Sequence, residues 1–336
     1  MDRRSRRQFL QGSLVLVGLG VLAGCGVVPA GGQQSRRVPR LGILSLGSAA
    51  DPSPSFDAFR QGLGELGYVE GQNLTIEYRF VEGSSDRLPE LADELVRLPV
   101  DVIVARGTPP ILAAKNATGT IPILFGAAND PVGAGFVASL ASPGGNVTGS
   151  SALTYQLGGK RLELLKETVP SVSRVAVLAH QDDQSLTPSL GVLRDAATKL
   201  RVELQVLVVR DLNDLAPAFE AATTQRAAAL LTAPGPIILT YHPRIVELAA
   251  AHRLPAMYHI RDFVAAGGLL AYGANAINLW RRLATYVDKI LKGARPADLP
   301  VEQATTFDFF VNLATAQALG LTIPPSILMQ ATEVIH

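Results

Sequence analysis

Residues 101–149 restrict the fold more than any other part of the chain. Residues 102–105 and 121–125 are short apolar runs without polar alternation, the pattern of strands buried on both faces. Each run ends in small and polar residues: Arg106-Gly107-Thr108-Pro109 after the first, Gly126-Ala127-Ala128-Asn129-Asp130-Pro131 after the second. Thr108 is expected to cap a helix that carries Pro109 and Pro110 in its first turn. The Asn129-Asp130 loop is expected to lead into another helix. Pro143-Gly144-Gly145-Asn146 marks a tight turn before a third short strand at 147–149. Strand, polar loop and helix in repetition predict an open α/β sheet. Ligands in such sheets sit at the carboxyl ends of the strands, which makes Thr108, Asn129 and Asp130 ligand candidates.

The same grammar runs through the rest of the chain. Further strands are expected at 40–46, 74–78, 174–179, 203–209, 228–232 and 255–258, with helices between them. Phe56, Phe59, Leu63 and Leu66 share one helix face, and Leu88, Leu91, Leu95 and Leu98 stripe another. Residues 155–170 read as a helix with Leu157, Leu162 and Leu165 inward, residues 267–273 as an edge strand and crossover, and residues 277–291 as a long helix. About 300 residues of such pattern suffice for two domains with a parallel sheet each.

The first forty residues have a different character. Arg3, Arg4, Arg6 and Arg7 precede a short apolar core at 14–23, too short for an ordinary spanning helix and suited to an export signal. Ser5-Arg6-Arg7-Gln8-Phe9-Leu10 resembles a twin-arginine motif, and Leu22-Ala23-Gly24-Cys25 resembles a lipoprotein cleavage box. Cys25 is the single cysteine of the chain, so no intrachain disulfide is expected and the thiol is the candidate for lipid attachment. Residues 1–24 are thus expected to be a signal peptide and 25–39 a flexible tether. Gly26 after the cysteine leaves inner and outer membrane both open. Removing the leader takes away four arginines and Asp2, which moves the formal charge from +1 to −2. A near-neutral mature chain does not call for a nucleic-acid partner.

Leu66-Gly67-Tyr68-Val69-Glu70-Gly71, Asp101-Val102-Ile103-Val104, Ile121-Pro122-Ile123, Asn129-Asp130-Pro131-Val132-Gly133 and Pro143-Gly144-Gly145-Asn146-Val147-Thr148-Gly149 follow one another along the chain. Leu291-Lys292-Gly293 and Ala318-Leu319-Gly320 come later. In order and spacing these segments resemble a family of bacterial ABC-transporter solute-binding proteins that includes binders of tryptophan, tyrosine and phenylalanine. The resemblance implies the two-lobed type I periplasmic-binding-protein fold, an α/β fold in which each lobe is a parallel sheet flanked by helices and a multi-strand hinge joins them. The lobes are expected at 40–150 plus 273–298 and at 151–272 plus 299–336. The helix at 277–291 is expected to return to the first lobe and residues 300–307 to cross back to the second.

The resemblance implies ligand contact at the loops holding Ser45, Thr108, Asn129, Ser150 and Asp262. Asp130, His180 and Tyr272 join them as candidates: Asp130 or Asp262 to pair with an ammonium, Tyr155 or Tyr272 to wall an apolar part. Residues 233–236, Ala-Pro-Gly-Pro, depart from the more polar loop of relatives and offer almost no side-chain hydrogen bonds. The expected function is capture of a small molecule, such as an aromatic or other amino acid, by a monomeric, lipid-anchored protein that delivers it to an ABC permease. A sensor for a membrane receptor and an envelope enzyme are the alternatives. No DNA-binding segment precedes the first strand, which speaks against a soluble repressor. Enzyme readings find no GxSxG elbow, no metal spacing among the five histidines, and no GxGxxG fingerprint. No cofactor or metal is expected.

Overall fold

The computed structural model describes residues 37–48, 54–82, 85–181, 183 and 185–336. The export segment, Cys25 and the tether through residue 36 lie outside them. The elements run β1 (Arg40–Leu46), α1 (Pro54–Glu65), β2 (Thr75–Val81), α2 (Leu88–Arg97), β3 (Val102–Arg106), α3 (Thr108–Ala117), β4 (Ile123–Ala128) and β5 (Val147–Ser151). Next come α4 (Gly158–Thr168), β6 (Arg174–His180), α5 (Leu186–Leu200), β7 (Glu203–Val209), α6 (Leu215–Thr224), β8 (Ala229–Thr232), α7 (Pro236–Thr240), α8 (His242–Ala251), β9 (Ala256–Tyr258) and α9 (Arg261–Ala265). The chain ends with β10 (Leu270–Ala274), α10 (Ala276–Leu291), β11 (Glu302–Gln303), β12 (Phe307–Asn312), α11 (Leu313–Leu319), α12 (Pro325–Gln330) and β13 (Glu333–Ile335).

Two sheets result. The first has strand order β11-β5-β4-β3-β1-β2 and is parallel throughout. The second has order β13-β12-β10-β9-β8-β6-β7 and is parallel except where β10 meets β12. Apolar clusters cover both faces of each sheet, which is why the strands read as unbroken apolar runs. In α2, Leu88, Leu91 and Leu95 are buried, each contributing roughly 1.5–3 kcal/mol. In α1, Phe56, Phe59 and Leu63 are buried, whereas Leu66 lies past the helix end and is 41% exposed.

The chain changes sheets between β5 and α4, between β10 and α10, and between β11 and β12. After the second change α10 packs on α1 and β4 of the first lobe. Trp280 of α10 lies so close to β4 that a Cβ at Gly126 would stand 2.4 Å from its ring. Thr148 in β5 donates to the Leu299 carbonyl at 2.6 Å, guiding the chain into β11.

Three expectations are corrected. Gly107, not Thr108, is the N-cap of α3: with φ at 90° it takes a conformation open to glycine, and the helix starts one residue early. No helix follows Asp130; residues 131–135 form turns. The Asp130 carboxylate accepts from the Gly133 N–H at 2.9 Å and folds over a position where any Cβ would meet it at 2.1 Å. Finally, β10 is not an edge strand, because β12 returns antiparallel beside it.

Gly126→Ala forces a methyl into Trp280. It is expected to lower stability by about 1–3 kcal/mol, the usual cost of overpacking, read as a lower urea midpoint at unchanged slope.

Candidate functional site

The chain crosses between the two sheets three times, and in open α/β sheets ligands sit at the carboxyl ends of the strands, so the strand-end residues of each sheet are the candidates. From the first lobe, Ser45 is buried at 1% exposure and its hydroxyl donates to the neighbouring Leu46 carbonyl at 2.9 Å. Thr108 is exposed at the start of α3, one residue past the N-cap. Ser150 is buried, and its Oγ accepts from the Ala127 N–H at 3.0 Å. That bond holds Ala127 at φ 53°, inside β4 where the register with β5 shifts between Phe125 and Ala128. Asn129 follows and is exposed; its Oδ1 accepts from the Thr154 hydroxyl at 2.7 Å. Asp130 is half-buried beside Tyr155; burial first and then the Asp130 charge push the Tyr155 phenol pKa up.

The second lobe contributes the ends of β6, β8 and β9. His180 is 8% exposed, and its Nδ1 has no partner among the described residues. The Asp183 carboxylate accepts from the Ser185 N–H and hydroxyl through Oδ1, at 2.9 Å each, while its Oδ2 is buried and unpartnered. Gly235 lies directly against His180, where a Cβ would approach the histidine Cβ to 3.0 Å. The apolar 233–236 loop therefore gives the chain close packing rather than hydrogen bonds. Asp262 is exposed in the first turn of α9. Tyr272 is half-buried and packs against Phe307 and Phe309, with ring centroids 6.1 Å away in each case. It braces the hinge aromatics.

Five further residues were not among the sequence candidates. Arg106, at the end of β3, has its guanidinium carbon 5.7 Å from the Phe56 ring centroid. Burial lowers its pKa and the charge of Asp262 opposes that, an electrostatic link between the lobes. Thr154 holds Asn129, as above. Thr232 is fully buried with an unpartnered hydroxyl. Arg161 is 1% exposed, and desolvation pushes its pKa down to about 10, so it stays charged at neutral pH. His259 is 6% exposed; desolvation first, then the Arg161 charge, push its pKa down to about 3. One sequence signal pointed to Arg161: it lies four residues from both Leu157 and Leu165, on the inward face of α4. Among the described residues no group of three His, Cys, Asp or Glu side chains is arranged to hold a metal.

Residues 53–335 match the family model for ABC transporter substrate binding proteins. A tyrosine-binding protein of Clostridioides difficile strain R20291 is 26% identical over 287 residues, 85% of this chain and 82% of that protein. The structure is similar to that of an ABC domain in complex with L-Trp from Streptococcus pneumonia, at 28% identity, covering 88% of this chain and 99% of that one, with a TM-score of 0.80. It is also similar to a ligand-free, open structure of a substrate-binding protein with adhesive properties from Clostridium difficile. That likeness is at 26% identity over 89% of this chain and 99% of that one, with a TM-score of 0.71.

The depressed His259 pKa has a stability consequence. Between its unfolded value of 6.5 and its folded value of about 3, the unfolded chain binds a proton that the folded one does not. Stability therefore falls as pH drops through this window. From pH 6.5 to about 4.5 the loss is expected to be roughly 2 kcal/mol, and His259→Gln is expected to flatten that part of a stability-versus-pH curve from urea unfolding.

Proposed function

Because the chain belongs to the ABC transporter substrate-binding protein family, we propose that it captures a small molecule, an aromatic or other amino acid or a related carboxylate, between its lobes and delivers it to a membrane permease. The family makes it a binding protein of a transporter and not an enzyme. What supports the ligand class is that the strand-end loops of the two lobes carry opposite charges, Arg106 in one and Asp262 in the other. Arg106 of the first lobe senses Asp262 of the second, and Asp130 and Asn129 stand beside the first crossing. A zwitterion can satisfy such a set, its carboxylate at Arg106 or Asn129 and its ammonium at Asp130 or Asp262. Thr108 and His180 are the remaining polar candidates, Ser45 and Ser150 shape the loops, and Tyr272 supports the hinge. The L-Trp complex and the tyrosine-binding relative support an aromatic amino acid as the first solute to test.

The mechanism is a population shift. A ligand that touches both lobes favours the closed arrangement, and no bond is broken. The two lobes are taken as 40–150 plus 273–298 and 151–272 plus 299–336. The twin-arginine-like leader and Cys25 support export and lipid anchoring of a monomer outside the cytoplasmic membrane; two or more acyl chains would be needed for a stable anchor.

The test is native mass spectrometry of residues 33–336 as purified and after unfolding and refolding, followed by thermal shift. A bound mass lost on refolding, or a raised melting temperature with L-tryptophan or L-tyrosine, is expected; ligand at 100 times its Kd adds about 2.7 kcal/mol. Asn129→Ala is expected to weaken binding tenfold or more in calorimetry while leaving the melting temperature of the free protein unchanged. Absence of any carried solute, together with no shift across a broad amino-acid panel, would remove the proposed ligand class.

A further inference from the structure

We infer that Arg161 is a positioning residue for ligand capture: it pins the Thr154 turn to the hinge so that Asn129 presents its amide N–H groups to an acceptor on the ligand. The inference rests on the proposed reading of the cleft and adds to it a residue that does not touch the ligand.

Arg161 lies on the buried face of α4 at 1% exposure. Its Nη2 donates to the Thr154 carbonyl, its Nη1 donates to the Tyr272 carbonyl at 3.5 Å, and its Nε has no partner among the described residues. No carboxylate is among its hydrogen-bond or ion-pair partners in the described residues. Its neighbour His259 stays neutral at physiological pH. A buried charge held only by carbonyls is less favourable than an apolar side chain of similar volume. What it holds accounts for its placement. Thr154 belongs to the first crossing between the sheets. Tyr272 stands in β10 just ahead of the second, and its ring stacks on Phe307, the first residue after the third. One guanidinium therefore ties the first crossing directly to the strand that feeds the second, and through the Tyr272 ring to the third.

The consequence reaches the cleft through one hydroxyl. Thr154 Oγ1 donates to Asn129 Oδ1 at 2.7 Å, so the acceptor end of the Asn129 amide faces the hinge. Its two N–H groups make no hydrogen bond among the described residues, and Asn129 is exposed. An amide oriented this way presents its two N–H donors to a carboxylate or carbonyl. If the Thr154 turn moves, the amide is free to rotate and that presentation is lost. Arg161 holds the turn from below by its backbone carbonyl, which leaves the Thr154 hydroxyl for Asn129.

The experiment uses the probe L-tryptophan with the full mature chain and its Arg161→Met, Asn129→Ala and double variants. Arg161→Met is expected to weaken binding ten- to one-hundredfold with a melting temperature equal to or above that of the parent. The double variant is expected to bind no more weakly than Asn129→Ala alone, since Arg161 acts through Asn129. Arg161→Lys, which keeps a charge and one donor, is expected to recover part of the loss. Wild-type affinity in Arg161→Met, or losses that add in the double variant, would overturn the inference. Thr154→Val breaks the same link without touching the buried charge and stands in if Arg161→Met does not fold. A second readout needs no ligand: the side-chain amide signals of Asn129 in a nitrogen–proton NMR spectrum, identified by their loss in Asn129→Asp. They are expected to move in Arg161→Met and in Thr154→Val. Should the parent bind neither L-tryptophan nor L-tyrosine, the solute reading fails, and unchanged Asn129 signals would then reject the role of Arg161 separately.

Discussion

Between β5 and α4, at Asn275 and at residues 304–306 the chain leaves one sheet and enters the other. These three crossings are the constraint on which the cleft depends. A parallel sheet gathers all its strand-end loops at one edge, and short connections keep the two such edges together. A single linker would let the lobes wander; three strands in parallel leave chiefly a bending motion. Arg161, Thr154, Tyr272 and Phe307 occupy that junction, with Asn275 donating to Asp308 at 3.2 Å and Asn278 donating to Thr306 at 3.1 Å beside it. Arg161 and Thr154 at its centre are buried and the residues around them are half-buried or exposed, so its geometry is set by directional bonds as well as by packing.

The motifs that carry the family resemblance prove to be mostly locks on backbone turns. Asn146 donates to the carbonyls of Thr118 and Ile121, at 3.0 and 2.8 Å, and so fixes the entry into β4. Asn73 accepts from the Val69 N–H and donates to the Gly67 carbonyl, closing the turn before β2. The Asp101 carboxylate accepts from the Arg40 N–H at 2.7 Å and aligns β3 with β1. Tyr68 donates to Asp288 at 3.0 Å and ties that first turn to the returning α10. Residues of this kind identify the fold because few other side chains satisfy the same backbone groups. They say little about the solute.

The electrostatics divide in the same way. Surface pairs such as Arg261 with Glu333 and Arg281 with Glu65 lie in solvent and contribute little to stability. The groups with strong consequences are inside: a charged Arg161 without an acid partner and a neutral His259 next to it. Arg161 holds the carbonyls of Thr154 and Tyr272, whereas residues 233–236 carry no polar side chain.

Taken alone, the sequence determined the two α/β sheets, because strands buried on both faces must read as short apolar runs between amphipathic helices. It also marked the strand-end loops as the candidates for holding a ligand. The return of α10 to the first sheet followed from the family resemblance of the motifs and not from periodicity, which marks the helix but not the sheet it packs on. Only the tertiary structure decided which polar groups of those loops are spent on backbone, as the Ser45 and Ser150 hydroxyls are, and that Asn129 gives its carbonyl to Thr154 while its amide N–H groups make no hydrogen bond among the described residues. It alone placed Arg161 among carbonyls from two crossings. The reason is physical: periodicity reports which face of an element is buried, whereas a hydrogen-bond partner far along the chain is set by how the elements pack.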